Sequence, residues 1–160
     1  MAKRVFYSFH YSEDSWRASQ VRNIGVVEGN QPARDNDWEK ITNGGDEAIK
    51  NWIDDQMKGR GCLIVLVGAQ TSEREWIRYE IIKAWNERKT VLGIRIHNLL
   101  DSKSNTSFKG KNPFDNIELE DGTKLSTLVP LYDPKSYGAF NDIRNNIENW
   151  IDLAYKNKKN

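Results

Sequence analysis

The sequence has 160 residues, which is the usual size of one domain and is long enough to bury a core without disulfides or a structural metal. Its 24 Lys and Arg residues against 23 Asp and Glu residues leave a formal charge of +1, so no overall field favours nucleic acid or anionic lipid. Cys62 is the only cysteine, and no apolar run approaches the length of a membrane span. We therefore expect one cytoplasmic domain over residues 1–160 that binds neither nucleic acid nor membrane.

The hydrophobic pattern alternates between the two-residue period of strands and the longer period of helices. Ser12 carries an N-cap signal, and Ser72 with Glu75 forms a capping box. In chain order, the first predicted elements are a strand at 4–9, a helix from Ser12, a weak strand at 24–27 and a polar loop at 28–42. A helix between Gly45 and Gly59, a strand at 62–68 and a helix from Ser72 to about Arg88 follow. The last predicted elements are strands at 91–96 and 128–131 and a helix at 140–154.

The segment 62–68 is the best-marked strand. It is uninterrupted apolar sequence flanked by glycines, which is typical of a strand buried on both faces of a parallel sheet. Pro130 restricts the last strand to an edge or to a strand end. Strands that alternate with helices predict an α/β fold, a parallel sheet with helices on both faces.

Two segments match no regular element. Residues 98–127 form a long polar stretch, which we interpret as an insertion because structureless loops of this length are uncommon in small domains. The basic tail at 156–160 is expected to be frayed.

Parallel sheets bind ligands at the carboxyl ends of their strands. The sequence places polar and aromatic residues directly after the first strand, and others on the helix that follows the central strand. One cleft is therefore expected to collect Ser8, Phe9 and His10 from the first group, and Trp76, Tyr79 and Glu80 from the second.

Trp76 and Glu80 are four residues apart and share one face of a helix. A carboxylate there can stabilise positive charge developing on a sugar ring, and an aromatic side chain can stack on a planar base. NAD contains both a sugar ring that can develop positive charge and a planar base that can stack. The alternative is that Glu80 is a solvated helix charge and Trp76 a packing residue, and spacing alone leaves both interpretations open.

Two further residues have a functional and a structural interpretation. His10 could donate to a phosphate or a ribose, or it could simply cap the end of a strand. Trp38 could form a lid over the cleft, or it could seal the edge of the core.

The chain contains no P-loop, dinucleotide fingerprint or G-x-S-x-G elbow, and no cluster of residues with metal-ligand spacing, so these classes of site are excluded.

Three short segments occur in order on this framework: residues 3–10 (KRVFYSFH), 76–80 (WIRYE) and 109–115 (KGKNPFD). Together they resemble the TIR-like proteins of bacterial Thoeris anti-phage defence, the ThsB family. The first segment is similar to the first TIR box, and the second to the box in which a tryptophan precedes the catalytic glutamate by four positions. The third segment and Trp38 with Glu39 are similar to the ThsB branch.

The resemblance implies a flavodoxin-like sheet of five parallel strands and the cleavage of NAD, as substrate, with no cofactor and no metal. The product would be a cyclic ADP-ribose-type or related ADP-ribose-derived messenger, made on phage infection, that activates a separate effector. The protein would self-associate on activation. By position, the resemblance makes Glu80 the catalytic acid, places Phe9, His10 and Trp76 near the nicotinamide ribose, and leaves Ser8, Trp38 and Tyr79 as further candidates for substrate binding.

The sequence departs from the general TIR pattern at two places. His10 stands where many TIR domains carry arginine, and the insertion at 98–127 replaces the usual helix between the last two strands. Two other functions also fit the sequence. One is a non-catalytic TIR-like module that signals by assembly, and the other is a nucleoside deoxyribosyltransferase-like enzyme, which also uses a glutamate to attack an N-glycosidic bond.

Overall fold

The structure, a computed structural model, describes residues 3–24, 27–29 and 43–158. Its strands are β1 (Lys3–Ser8), β2 (Val27–Gly29), β3 (Cys62–Val67), β4 (Thr90–Arg95) and β5 (Leu131–Tyr132), and its helices are α1 (Tyr11–Arg22), α2 (Gly45–Met57), α3 (Glu75–Asn86) and α4 (Ala139–Asn157). All strand pairs are parallel, and the strand order is β2-β1-β3-β4-β5. This is the flavodoxin-like order, so the predicted five-stranded α/β fold is confirmed.

The strand at the centre of the sheet is β3, as its apolar sequence predicts. All six of its residues are buried. On the neighbouring strand β1, alternate side chains point to opposite faces of the sheet. Val5 and Tyr7 lie in the core layer with α1 and α4, whereas Phe6 lies in the layer with α2 and α3. Ser8 follows Phe6 by two residues, and it therefore faces α3.

The N-cap of α1 lies two residues before the predicted one. The N-cap is His10 rather than Ser12, because the Nδ1 atom of the histidine ring accepts the backbone N–H of Glu13 at 3.4 Å. A histidine two residues upstream therefore takes the capping role that the sequence pattern assigned to the serine.

The predicted capping box before α3 is wrong. Ser72 lies inside a short 3-10 turn, Thr71–Glu73, and α3 begins only at Glu75 with Arg74 at the N-cap. The hydroxyl of Thr71 instead accepts the backbone N–H of Gly68 at 2.7 Å, which closes the turn after β3.

Other element boundaries also shift. The second strand begins at Val27 instead of occupying 24–27, and the last strand lies at 131–132 instead of 128–131. Pro130 precedes β5 and supplies only its carbonyl, which accepts the N–H of Gly93 at 2.9 Å, so β5 is a short edge strand. Helix α4 runs through Asn157, and the start of the basic tail is therefore helical rather than frayed. Residues 30–42, most of the predicted 28–42 loop, lie outside the described residues.

The insertion at 98–127 contains no α-helix among its described residues, but it is more than a polar loop. It forms the 3-10 turns Pro113–Asn116 and Leu125–Thr127, and its Phe114, Ile117 and Leu125 side chains are buried in the same layer as α2 and α3. The ring of Phe114 occupies the space above Gly93 of β4, where an added Cβ would lie 2.9 Å from the ring. The insertion therefore covers part of β4 on the face against which α3 also packs.

We predict that Phe114→Ala destabilises the protein by about 3–5 kcal/mol, the usual cost of removing a fully buried phenyl ring. The matched control is Phe108→Ala in the same insertion, because Phe108 is 86% exposed whereas Phe114 is 0% exposed. The control should change the free energy of unfolding by less than about 0.5 kcal/mol. Urea unfolding measures both, and equal effects would show that the insertion is not part of the core.

Candidate active site

A cavity of about 400 Å³ lies at the carboxyl end of β1, between the starts of α1 and α3. This is a usual size for a small-molecule pocket, and the carboxyl ends of the strands are where open α/β sheets bind their ligands. Its walls combine aromatic rings with ionisable groups. The residues that matter most for its chemistry are Phe9, His10, Trp52, Arg74, Trp76 and Glu80.

Glu80 is a buried acid in the wall of this cavity. Only 7% of its surface is exposed, because its neighbours Ile77 and Ile81 on α3 pack into the core and draw this face of the helix onto the sheet. The hydroxyl of Ser8 donates a hydrogen bond of 2.6 Å to Glu80 Oε1. The interpretation of Glu80 as a solvated helix charge is therefore wrong.

Burial also determines the protonation of Glu80. Removal from water disfavours the carboxylate and raises its pKa from the usual 4.5 to about 8, while the hydrogen bond from Ser8 favours the charged form and lowers the pKa. At neutral pH the protein by itself therefore holds Glu80 mostly protonated. A positive charge brought beside it would favour the carboxylate.

His10 both caps α1 and lines the cavity. Its Nδ1 accepts the N–H of Glu13, so in the neutral ring the proton is on Nε2. Burial lowers the pKa of His10, and the nearby positive charge of Arg74 lowers it further. His10 is therefore a neutral side chain with one N–H available as a donor. The interpretation as a polar cap holds, and the same residue also reaches the cavity.

Aromatic rings supply most of the apolar wall. Phe9 stacks on Tyr11, with ring centroids 6.3 Å apart and planes inclined by 25°. Trp52 of α2 contacts Phe6 edge-on, with centroids 6.4 Å apart and planes at 68°. Such contacts fix the rings in place and leave flat surfaces on which a planar base can stack.

Trp76 and Tyr79 are neighbours, but only Trp76 lines the cavity. The two rings meet edge-on with centroids 5.6 Å apart. The hydroxyl of Tyr79 donates to Asp54 Oδ1 at 3.1 Å. Tyr79 thus supports Trp76 from outside, and the structure does not bring it into the wall. Trp38 lies outside the described residues.

Of the six cavity residues named above, the sequence analysis missed two, Trp52 and Arg74. Trp52 falls on the apolar stripe of α2 with Ile49 and Ile53, so its spacing indicates packing alone. Arg74 lies between Glu73 and Glu75, a context that indicates an ordinary exposed charge. Only the placement of α2 and α3 beside the end of β1 shows that both residues reach the cavity.

The described residues hold no group of three or more His, Cys, Asp or Glu side chains arranged to bind a metal ion. Within the same ranges, none of the helices has the length and apolar character needed to cross a membrane.

Comparison with known proteins supplies the family. Residues 6–101 match the family model described as Thoeris protein ThsB, TIR-like domain. The chain belongs to the Thoeris ThsB family of TIR-like proteins. A Bacillus cereus (strain MSX-D12) protein named "Putative cyclic ADP-D-ribose synthase ThsB1" is 38% identical over 133 residues, which cover 78% of this chain and 69% of that protein.

The resemblance inferred from the sequence is thus confirmed. The matched segment also contains the cavity. The segment matched by the ThsB family model extends from β1 to just beyond β4 and includes every residue that lines the cavity. Helix α4 lies beyond that segment. The family match and the geometry therefore point to the same part of this TIR-like domain.

The raised pKa of Glu80 predicts a pH-dependent loss of stability. Between about pH 4.5 and pH 8, folded Glu80 keeps a proton that unfolded Glu80 has lost, so stability falls as pH rises, by up to about 1.4 kcal/mol per pH unit. Glu80→Gln should remove this dependence and be more stable than wild type near pH 8. Urea unfolding across this pH range measures the free energy of unfolding of both proteins. Titrating groups that both proteins share cancel in the difference between wild type and variant.

The control is Glu148→Gln, an exposed position on α4. Its free energy of unfolding should follow that of wild type at every pH. If the free energy of unfolding of Glu80→Gln also follows that of wild type at every pH, the Glu80 carboxyl is in contact with water. That result would contradict the burial of Glu80 in the structure.

Proposed function

We propose that this chain cleaves NAD at the bond between nicotinamide and ribose, and that Glu80 is its catalytic residue. The observation that carries the proposal is the buried carboxyl of Glu80, which lies in the wall of an aromatic-lined cavity and accepts a hydrogen bond from Ser8, a buried residue that does not itself line the cavity. Membership of the Thoeris ThsB family supports it, as does the name of the Bacillus cereus relative, which specifies cyclic ADP-ribose synthesis.

The reaction breaks the bond between ribose C1′ and the ring nitrogen of nicotinamide. The bonding electron pair goes to that nitrogen, so nicotinamide leaves as a neutral molecule and positive charge passes to the ribose. The Glu80 carboxylate stabilises this charge. A nucleophile then donates an electron pair to C1′ and removes the positive charge from the ribose. When the nucleophile is water or a hydroxyl group, its proton passes to solvent. Water yields ADP-ribose, and an atom of the same molecule yields a cyclic product.

The protonation of Glu80 matches this chemistry. The nicotinamide ring of NAD is a cation, and a cation beside Glu80 lowers the pKa of the carboxyl group, which therefore ionises as substrate binds. The negative charge is thus present when the substrate needs it. In the protein by itself, the same group is mostly protonated and costs less to bury.

The aromatic wall favours an intramolecular acceptor. A cyclic product requires the adenine end of the molecule to fold back to the reacting ribose. Phe9, Trp52 and Trp76 present rings on which nicotinamide and a second base can stack. The product we propose is a cyclic ADP-ribose-type messenger that acts on a separate Thoeris effector.

The two competing functions are less well supported. A module that only assembles with partners has no use for a buried acid with a raised pKa beside a cavity, an arrangement more typical of catalytic sites. A deoxyribosyltransferase would use a similar acid, but the family match is to TIR-like proteins.

Glu80→Gln should abolish the release of nicotinamide from NAD, because an amide cannot supply the negative charge, while the near-identical shape keeps the fold. We would incubate purified wild type and variant with NAD, analyse small molecules by mass spectrometry, and repeat the analysis in phage-infected cells that express each protein. A new ADP-ribose-type product in wild type alone is the expected result. Equal NAD loss in both would remove Glu80 from catalysis, and no product in either setting would favour the assembly module.

Ser8→Ala should shift the pH dependence of kcat/KM to higher pH. The Ser8 hydroxyl lowers the pKa of Glu80, so its loss leaves less carboxylate at neutral pH, and activity should recover as the pH rises further. Ser19→Ala is the control, because the Ser19 hydroxyl bonds the Trp16 carbonyl on α1 instead. A uniform loss at every pH would mean that Ser8 contacts substrate only, and activity that falls with rising pH would mean that Glu80 acts in its protonated form.

A further inference from the structure

Arg74 is an exposed cation in the wall of the cavity. It occupies the N-cap position of α3, and its side chain is exposed at the cavity wall. Among the described residues, its guanidinium makes no hydrogen bond or ion pair, even with its sequence neighbours Glu73 and Glu75, which also line the cavity. Arginine side chains that serve the fold normally bond a carbonyl or a carboxylate, as Arg17 does with the Leu99 and Asn105 carbonyls.

His10 and Arg74 line the same cavity, and the charge of Arg74 lowers the pKa of His10. The helix cap fixes the neutral ring with its proton on Nε2, and this N–H has no partner among the described residues. One side of the cavity therefore presents a cationic donor and a neutral donor close together. Such a pair matches an anion with several oxygen atoms.

We propose that Arg74 and His10 bind the phosphate attached to the 5′ carbon of the nicotinamide ribose. The inference rests on the proposed function, since it concerns how the same dinucleotide is held. Arg74 precedes Glu80 by six residues of α3, a rise of about 9 Å along the helix axis. Both residues line the cavity, and the proposal places the ribose between them. The acid faces the cationic end of the substrate, and the two donors face its anionic part.

The neighbouring acids limit the strength of this site. Glu73 and Glu75 also line the cavity, and each repels a phosphate. We therefore expect the phosphate to improve binding by about tenfold, the gain of one charge-assisted hydrogen bond at a solvated site, rather than by several orders of magnitude.

Two ligands that differ only in the phosphate test the proposal: nicotinamide mononucleotide and nicotinamide riboside. Calorimetry with the full-length Glu80→Gln protein measures binding of both without turnover. The mononucleotide should bind about tenfold more tightly than the riboside. Adding Arg74→Gln should remove most of the preference for the mononucleotide and leave binding of the riboside unchanged, and the remaining preference is the contribution of His10. Arg74→Lys, which keeps the charge but loses the fork of donors, should retain part of the preference.

Glu75→Gln is the opposite control in the same background. Removing a neighbouring negative charge should strengthen the preference for the mononucleotide, and added salt should weaken it. Equal binding of both ligands before any change at Arg74 would overturn the phosphate site while leaving NAD cleavage intact. If Arg74→Gln leaves the preference for the mononucleotide over the riboside unchanged, Arg74 does not bind the phosphate. No binding of either ligand to Glu80→Gln and to wild type alike would instead remove the substrate site itself, and the proposed function with it.

Discussion

The candidate active site depends on the hydrogen bond between Ser8 and Glu80. It joins the last residue of β1 to the second turn of α3, two elements separated by most of the first half of the chain. It forms because Ser8 lies on the same side of the sheet as Phe6, and because Ile77 and Ile81 hold α3 against that side. A shift of β1 by one residue would turn Ser8 to the other face and leave Glu80 buried without its donor.

The junction after β1 is fixed from both sides. His10 caps α1 on the cavity side. On the other side, Arg17 of α1 donates to the carbonyls of Leu99 at 2.8 Å and Asn105 at 2.9 Å, and so anchors the helix to the segment that follows β4. Asp14 is buried nearby, and burial raises its pKa to about 6. A cavity wall that begins with Phe9 and His10 thus rests on a helix with little freedom to move, which favours precise placement of a ligand.

The sequence predicts the parts of this structure that depend on local periodicity. The buried strand β3, the last helix and the shared helix face of Trp76 and Glu80 all follow from spacing. What spacing does not determine is how elements meet. Whether Glu80 is solvated or buried depends on how closely α3 packs on β1, and Trp52 and Arg74 become cavity residues only through tertiary placement. Phe114 shows the same limit, since one ring in a polar segment fills a gap left by Gly93, which is distant in the sequence.

The protonation of Glu80 makes the cavity selective for charge. At neutral pH a carboxyl with a pKa of about 8 is mostly protonated, and a positive group beside it favours the carboxylate, so a cationic ligand gains an ion pair that a neutral ligand of the same shape does not. Oxidised and reduced nicotinamide rings have nearly the same shape and differ in charge. Under the proposed function, the cationic ring of the oxidised dinucleotide favours ionisation of Glu80, whereas the neutral ring of the reduced form does not. Cleavage of the bond between nicotinamide and ribose releases a neutral molecule only from the oxidised form. The same buried acid therefore provides both the recognition of the substrate and the charge that its cleavage requires.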